Sequence, residues 1–389
     1  MHQCSPKSPR IHVWVPDYSS SHGGIQAFSR LFVRAVLDSV PHAEVEVMSK
    51  NDDSYPPPVG RGWLRFRGAG WWPMPYRTFL FAAQLVLTAL RRRPDYILIT
   101  HANFAPLAWA IRSVTGIPYA VVSHGIEVWN VRSSALRLGL RGADRIWSVS
   151  RFTQDSIRRQ LALGEEYLGI LPNTFLPEQF TPAPKPNYLL RRYGLTPAQP
   201  VILTVARLAG AERYKGYDQI LRGLPDLIRR VPGVRYILGG RGGDRARIEA
   251  LIDELGLQAN VILAGFIPDH ELEDHYNLCD VFAMPSKGEG FGIVFLEAMA
   301  CGKPVLAGNQ DGSVDPLLNG ELGVLVDPDD VHGIARELEL ILTRRHPLAI
   351  LQQPAELRRR VIEAYGYPRF VSVLAERLRA LGVPAVSPV

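Results

Sequence analysis

The stretch DVFAMPSKGEGFGIVFLEAMACGKPVLAG, residues 280–308, decides the fold. A short apolar run leads into a glycine-rich loop, then into an apolar segment with a helix start near Gly292, and then into a second short run, PVLAG. Strand, loop, helix and strand in that order make a unit whose two strands lie parallel. The same window holds two carboxylates, Glu289 and Glu297. A solvated loop before a core helix would explain them, and so would the rim of a pocket for an anionic, hydroxyl-rich ligand.

Working outward, the alternation recurs along the chain. IHVWV (11–15), VEVMS (45–49), YILIT (96–100), YAVVS (119–123), RIWSVS (145–150) and LGILP (168–172) are strand-like runs in the first half. VILTVA (201–206), VRYILGG (234–240), VILAGF (261–266), DVFAMPS (280–286), PVLAG (304–308) and GVLVD (323–327) follow in the second. Each precedes a turn and a segment able to be helical, the pattern of an α/β fold with a parallel sheet. The proline-rich PNTFLPEQFTPAPKP (172–186) reads as a linker. The expectation is two Rossmann-like, doubly wound domains facing across a cleft, at 1–178 and 187–367, with a last helix near 368–389 completing the first. A chain of 389 residues is long enough for both.

Three cysteines, Cys4, Cys279 and Cys301, have no metal-like spacing and fit a reducing compartment. The first residues, MHQCSPKSPR, lack an apolar core, and no window is apolar enough to span a bilayer. A cytoplasmic protein is expected. Residues 1–185 carry 21 Lys and Arg against 13 Asp and Glu, a balance of +8, whereas the remainder carries 23 against 25. A basic half suits an anionic substrate or an anionic membrane surface; no helix-turn-helix, zinc-finger or RNP-like pattern speaks for nucleic acid. The segment GWWPMPYRTFLFAAQLVLTALRRRP (70–94), aromatic at one end and basic at the other, suits an interfacial helix, with a buried crossover helix as the alternative.

Ligands of open α/β sheets sit beyond the carboxyl ends of the strands. After the first strand, Gly23 and Gly24 open a helix and let backbone amides approach a phosphate, a plain turn being the alternative. His101 and His124 end two strands and can bond sugar hydroxyls or phosphate, unless nearby backbone satisfies them. After VILTVA come Arg207, Arg213 and Lys215, a fork and a point charge suited to a diphosphate without a metal. Gly240 lies in a glycine-rich turn that walls the nucleotide pocket. The amides of Phe291, Gly292 and Ile293 are first-turn donors for phosphate oxygens. Glu289 and Glu297, acceptor-only when ionised, suit sugar and ribose hydroxyls.

These residues together, E-x7-E in EGFGIVFLE followed by AMACGKPV, with VARL…YKGYD upstream and GGIQAF, SHGIEVW and SVSRFTQDSI in the first half, resemble the family 4 retaining glycosyltransferases of GT-B fold. The resemblance implies transfer of a hexosyl group from a nucleotide diphosphate sugar, UDP-glucose-like or GDP-mannose-like, to a glycan or lipid-linked acceptor. It implies no metal and no cofactor. By position, Arg207 and Lys215 would hold the diphosphate, Glu297 the ribose and Glu289 the donor sugar; Gly24 would let its loop meet phosphate. His124 would stand by the reacting centre, and His101, Glu127 and Arg213 would offer acceptor, sugar or phosphate contacts. Thr174 and Asp315 depart from the family pattern, which more often has glycine and glutamate there. The rival enzymes are a metal-dependent transferase using Asp327-Pro328-Asp329 and a sugar-nucleotide epimerase or phosphorylase. A non-catalytic sugar-nucleotide-binding module is the third.

Overall fold

The computed structural model describes residues 8–19, 23–53 and 63–386; Cys4 and Ser20 to His22 of the first loop lie outside them. The chain divides into two compact units, one of residues 1–174 with 367–389 and the other of residues 175–366.

The first unit holds β1 (Arg10–Val15), β2 (Glu44–Ser49), β3 (Trp63–Gly68), β4 (Tyr96–Ile99), β5 (Tyr119–Ser123), β6 (Arg145–Ser148) and β7 (Leu168–Ile170). They form one sheet in the order β3-β2-β1-β4-β5-β6-β7, every pair parallel. The second holds β8 (Val201–Val205), β9 (Arg235–Gly239), β10 (Val261–Gly265), β11 (Val281–Met284), β12 (Val305–Gly308) and β13 (Val324–Val326). Their order is β10-β9-β8-β11-β12-β13, again all parallel. The twelve runs read from sequence are all strands. The thirteenth, β3, escaped because WLRFRG alternates large apolar residues with arginine, as an edge strand with one exposed face does, and has no long apolar run.

The central strands are apolar on both faces because helices cover both. Val13, Ile97, Val121, Ile146, Ile202, Ile237, Phe282 and Leu306 are fully buried or nearly so. The helix Met74–Arg92 lays Phe81, Leu85 and Ala89 on the first sheet, at roughly 2 kcal/mol for each of the two larger side chains. Pro75 in its first turn needs no amide partner, and the left-handed Arg93 ends it. The last helix, Tyr367–Arg379, belongs to the first unit: Phe370 packs edge-on against Phe28, and the Tyr367 hydroxyl donates to Asp38 at 2.6 Å. Strand order reverses between β1 and β4 in one sheet and between β8 and β11 in the other. Such switch points open crevices beyond the carboxyl ends of the strands.

Candidate active site

At the second unit's switch point, the loops after β8 and β11 meet. The β8 loop runs through a 3-10 segment, Gly210–Lys215, and ends at Gly216 with φ +83°. A Cβ on Gly216 would stand 2.2 Å from the Pro285 carbonyl oxygen, so only glycine allows this approach. The Lys287 amide donates to the Tyr214 carbonyl at 2.9 Å and joins the two loops. This juxtaposition places the Lys215 ammonium on Glu289 Oε2. Both side chains are largely buried, at 15% and 16% exposure. Burial alone would depress the Lys215 pKa, but the Glu289 carboxylate reverses that, and the net direction is upward. Lys215 therefore stays charged.

Glu289 is held from behind by Asp311. Asp311 Oδ2 accepts the Glu289 amide at 2.6 Å and the Ser286 hydroxyl at 2.8 Å, and Oδ1 accepts the Ser313 amide at 2.9 Å. The Gly312 amide returns to the Glu289 carbonyl at 2.9 Å. The helix Ile293–Ala300 then begins at Gly292, whose φ of +90° suits glycine. The amides of Phe291, Gly292 and Ile293 donate to no acceptor among the described residues, as first-turn amides do. The Phe291 ring itself is core, packed against Tyr365 at 5.5 Å. One turn into the helix, Glu297 Oε2 accepts the Tyr276 hydroxyl at 2.6 Å. Burial pushes the Glu297 carboxyl up to about 7.

The expected fork and point charge on one diphosphate are separated in this structure. Arg207 is exposed and pairs with Glu212 at 3.2 Å, while Lys215 turns inward to Glu289, the nearest anion able to neutralise a largely buried ammonium. Arg213 faces Asp244 at 3.4 Å. Asp244 also accepts from Arg247 and from the Tyr217 hydroxyl, and the Arg247 bonds hold its carboxyl at about 2. Gly240 has a packing reason: its φ is +136° and a Cβ would lie 1.8 Å from the Ala206 carbonyl oxygen, so it seats the β9 loop against the β8 loop.

In the first unit, His124 follows β5. Its Nε2 donates to the Thr100 carbonyl at 2.7 Å, which leaves Nδ1 as the ring's acceptor, and its amide donates to Glu127 Oε1 at 2.5 Å. Glu127 thus serves the backbone of His124. His101 Nδ1 accepts the Asn103 amide at 3.3 Å, capping a short turn. The two rings lie 6.2 Å apart, and burial pushes both pKa values down. Nearby backbone satisfies one nitrogen of each ring and leaves the other for chemistry. Gly23 precedes the helix Gly24–Ser39, where a Cβ would crowd Gln26 Oε1 at 2.7 Å.

Asp327 Oδ1 accepts the Asp329 amide at 2.9 Å, Asp329 pairs with Lys287, and Asp330 caps the helix Val331–Leu342. The Asp-Pro-Asp sequence is a turn before a capped helix. No group of three His, Cys, Asp or Glu able to hold a metal occurs among the described residues.

Residues 30–175 match the family described as Glycosyltransferase Family 4, and residues 190–364 match Glycosyl transferases group 1. The chain is 31% identical over 338 residues to a GDP-mannose-dependent alpha-(1-6)-phosphatidylinositol monomannoside mannosyltransferase of Mycolicibacterium smegmatis, covering 82% of this chain and 85% of that one. The chain belongs to the family 4 glycosyltransferases. A D-inositol 3-phosphate glycosyltransferase of Rhodococcus jostii is 27% identical to it over 314 residues, 75% of this chain and 68% of the other. Among solved structures, this glycosyltransferase is similar to sucrose-phosphate synthase from Thermosynechococcus elongatus, with a TM-score of 0.76 and 21% identity over 96% of this chain and 99% of that one. It is also similar to Anabaena HepE in complex with UDP, with a TM-score of 0.74 and 19% identity over 96% and 100% of the two chains. The fold is GT-B.

Several residues that shape the glycosyltransferase's loops escaped the sequence reading. Asp311, Ser286 and Ser313 form one buried polar cluster, yet they are 25 residues or more apart from Ser286 onward, and only the adjacency of β11 and β12 unites them. The sequence signal for Asp311 was the Asp-Gly-Ser turn after a strand. Tyr276 reads as a core aromatic, and its bond to Glu297 depends on the packing of two helices.

Proposed function

We propose that this chain is a retaining hexosyltransferase that takes a GDP-linked mannose-like donor and delivers the sugar to a glycan or lipid-linked acceptor without a metal. The observation that carries the reading is the Lys215–Glu289 pair beside open helix-start amides at the second unit's switch point. The donor assignment is supported by similarity to a GDP-mannose-dependent mannosyltransferase.

The arrangement suits the difficult step, departure of a diphosphate while positive charge grows at the anomeric carbon. Lys215, held by Glu289, and the amides of Phe291 to Ile293 offer positive ends to the leaving oxygens. Arg207, exposed and paired with Glu212, swings to the diphosphate and neutralises part of its charge. Glu289, relieved of part of its hold on Lys215, presents a carboxylate to the sugar hydroxyls. Glu297 has one oxygen on Tyr276 and one for the ribose. The acceptor attacks from the face the diphosphate leaves, so the anomeric configuration is retained. His124, neutral and with Nδ1 as acceptor, suits a contact to a hydroxyl.

Release of nucleotide from GDP-, UDP- and ADP-hexoses, followed with and without chelator, tests this reading. Turnover of GDP-mannose unchanged by chelator is expected; loss in chelator, or donor isomerised with no transfer, would overturn it. The Glu297 carboxyl adds a pH dependence. Ribose hydroxyls donate to an ionised carboxylate, and the ionised fraction falls as pH drops through about 7. The donor KM is therefore expected to rise several-fold between pH 8 and pH 6 in the wild type and to stay flat in Glu297→Gln, measured by initial rates.

Peripheral membrane binding is part of the same proposal. No helix of the described residues is long and apolar enough to cross a membrane. The helix Met74–Arg92, however, exposes Tyr76, Phe79, Leu87 and Leu90 along one stripe, with Trp71 and Met74 exposed at its start and Arg91 to Arg93 at its end. An apolar stripe with one aromatic and one basic end suits the interface of an anionic bilayer on the cytoplasmic side. Phe79→Ser is expected to weaken co-sedimentation with vesicles containing phosphatidylglycerol about tenfold, from the loss of one buried aromatic side chain. Wild-type binding by the variant would contradict this.

A further inference from the structure

A pocket of about 430 Å³ opens at the amino ends of β1, β2 and β3, the opposite ends of the strands from the loops that carry His101 and His124. Strand register sets His12 beside Glu46 and Glu46 beside Arg65, and the end of the helix Met74–Arg92 adds Arg91 and Arg92. The acidic residues there are already engaged. Glu44 pairs with Arg10 at 3.4 Å, and Glu46 pairs with Arg67. The guanidinium groups of Arg65, Arg91 and Arg92 have no carboxylate partner among the described residues. His12 lines the same pocket at 2% exposure, and its Nδ1 has no hydrogen-bond partner. Its Nε2 lies 3.7 Å from Glu46, and burial pushes its pKa down to about 4, so the ring is neutral and one nitrogen is an unused acceptor.

We propose that this pocket is a second binding site that takes the phosphate group of a phosphate ester. Three guanidinium groups that line one opening without carboxylate partners favour an anion there, and their planar forks match phosphate oxygens. The volume suits a small head group. Two sources share this chemistry: a phospholipid head group and a soluble phosphate ester. The lipid source rests on the membrane reading above, because the helix that supplies Arg91 and Arg92 also carries the exposed apolar stripe. The phosphate chemistry stands without it.

The test uses the full chain and the double variant Arg65→Ala/Arg91→Ala, whose replaced side chains are exposed and outside the transfer machinery. Wild type and variant are titrated calorimetrically with inorganic phosphate and glycerol phosphate, and sedimented with phosphatidylcholine vesicles with or without phosphatidylglycerol. The difference between the two proteins isolates this pocket from phosphate taken up near Lys215. A loss of affinity of about tenfold or more for the soluble phosphates, with vesicle binding unchanged, supports the site with a soluble ligand. A similar loss toward phosphatidylglycerol vesicles, reversed in the wild type by competing glycerol phosphate, supports the site with a lipid ligand. If the wild type binds soluble phosphate through these arginines and ignores vesicles, the membrane reading falls and the pocket stands. If the double variant matches the wild type in both assays, the proposal is overturned.

Discussion

Lys215→Ala is expected to lower kcat by about 10²- to 10³-fold, the effect of removing one preorganised positive group aimed at a developing negative charge. Burial disfavours the charge of an ammonium with 15% exposure, Glu289 foremost outweighs that, and the pair stands at the switch point of the second sheet, where a leaving diphosphate would be met. Removing the ammonium leaves the largely buried Glu289 without its cation, at a cost of up to about 3–5 kcal/mol. Circular dichroism melting measures that cost, and kcat is read at a temperature where the variant is folded. Lys215→Arg keeps the charge but replaces a compact ammonium with a planar fork, and is expected to restore only part of the rate. A Lys215→Ala enzyme with wild-type kcat would remove the basis for this site.

Asp311→Ala is expected to destabilise the protein by about 3 kcal/mol and to lower kcat about tenfold or more. The substitution strands the amides of Glu289 and Ser313 in a buried place and leaves the Ser286 hydroxyl with the Ser313 hydroxyl, at roughly 1–3 kcal/mol for each amide left unsatisfied. It also frees the loop that aims Glu289. Asp311→Asn keeps one carbonyl acceptor for the Glu289 amide and is expected to recover much of both losses. Denaturant midpoints and initial rates on the two variants separate the contributions. Normal stability in Asp311→Ala would show that the loop is held by other contacts.

The sheet runs were legible because buried parallel strands are short, apolar and bounded by turn residues. Val201–Val205 and Val281–Met284 could hardly be read otherwise. β3 was hidden because an edge strand buries only one face, and its arginines diluted the apolar signal. At the site, Lys215, Glu289 and Glu297 stand out in the sequence because they lie beside glycines at loop ends and helix starts that follow strands. Their partners were not. That Lys215 meets Glu289, that Asp311 holds Glu289, and that Tyr276 holds Glu297 are long-range pairings, set by strand order and helix packing. Arg207 and Arg213 illustrate the same limit, since type and spacing suggested phosphate ligands and the fold supplies Glu212 and Asp244 as their partners.

Hydrogen–deuterium exchange with and without GDP-mannose reads whether the loops after β8 and β11 hold the donor. Slowed exchange is expected in peptides covering residues 206–216 and 287–297 of the wild type, with a much weaker effect in Lys215→Ala. Protection confined to other segments, or none at saturating donor, would contradict it.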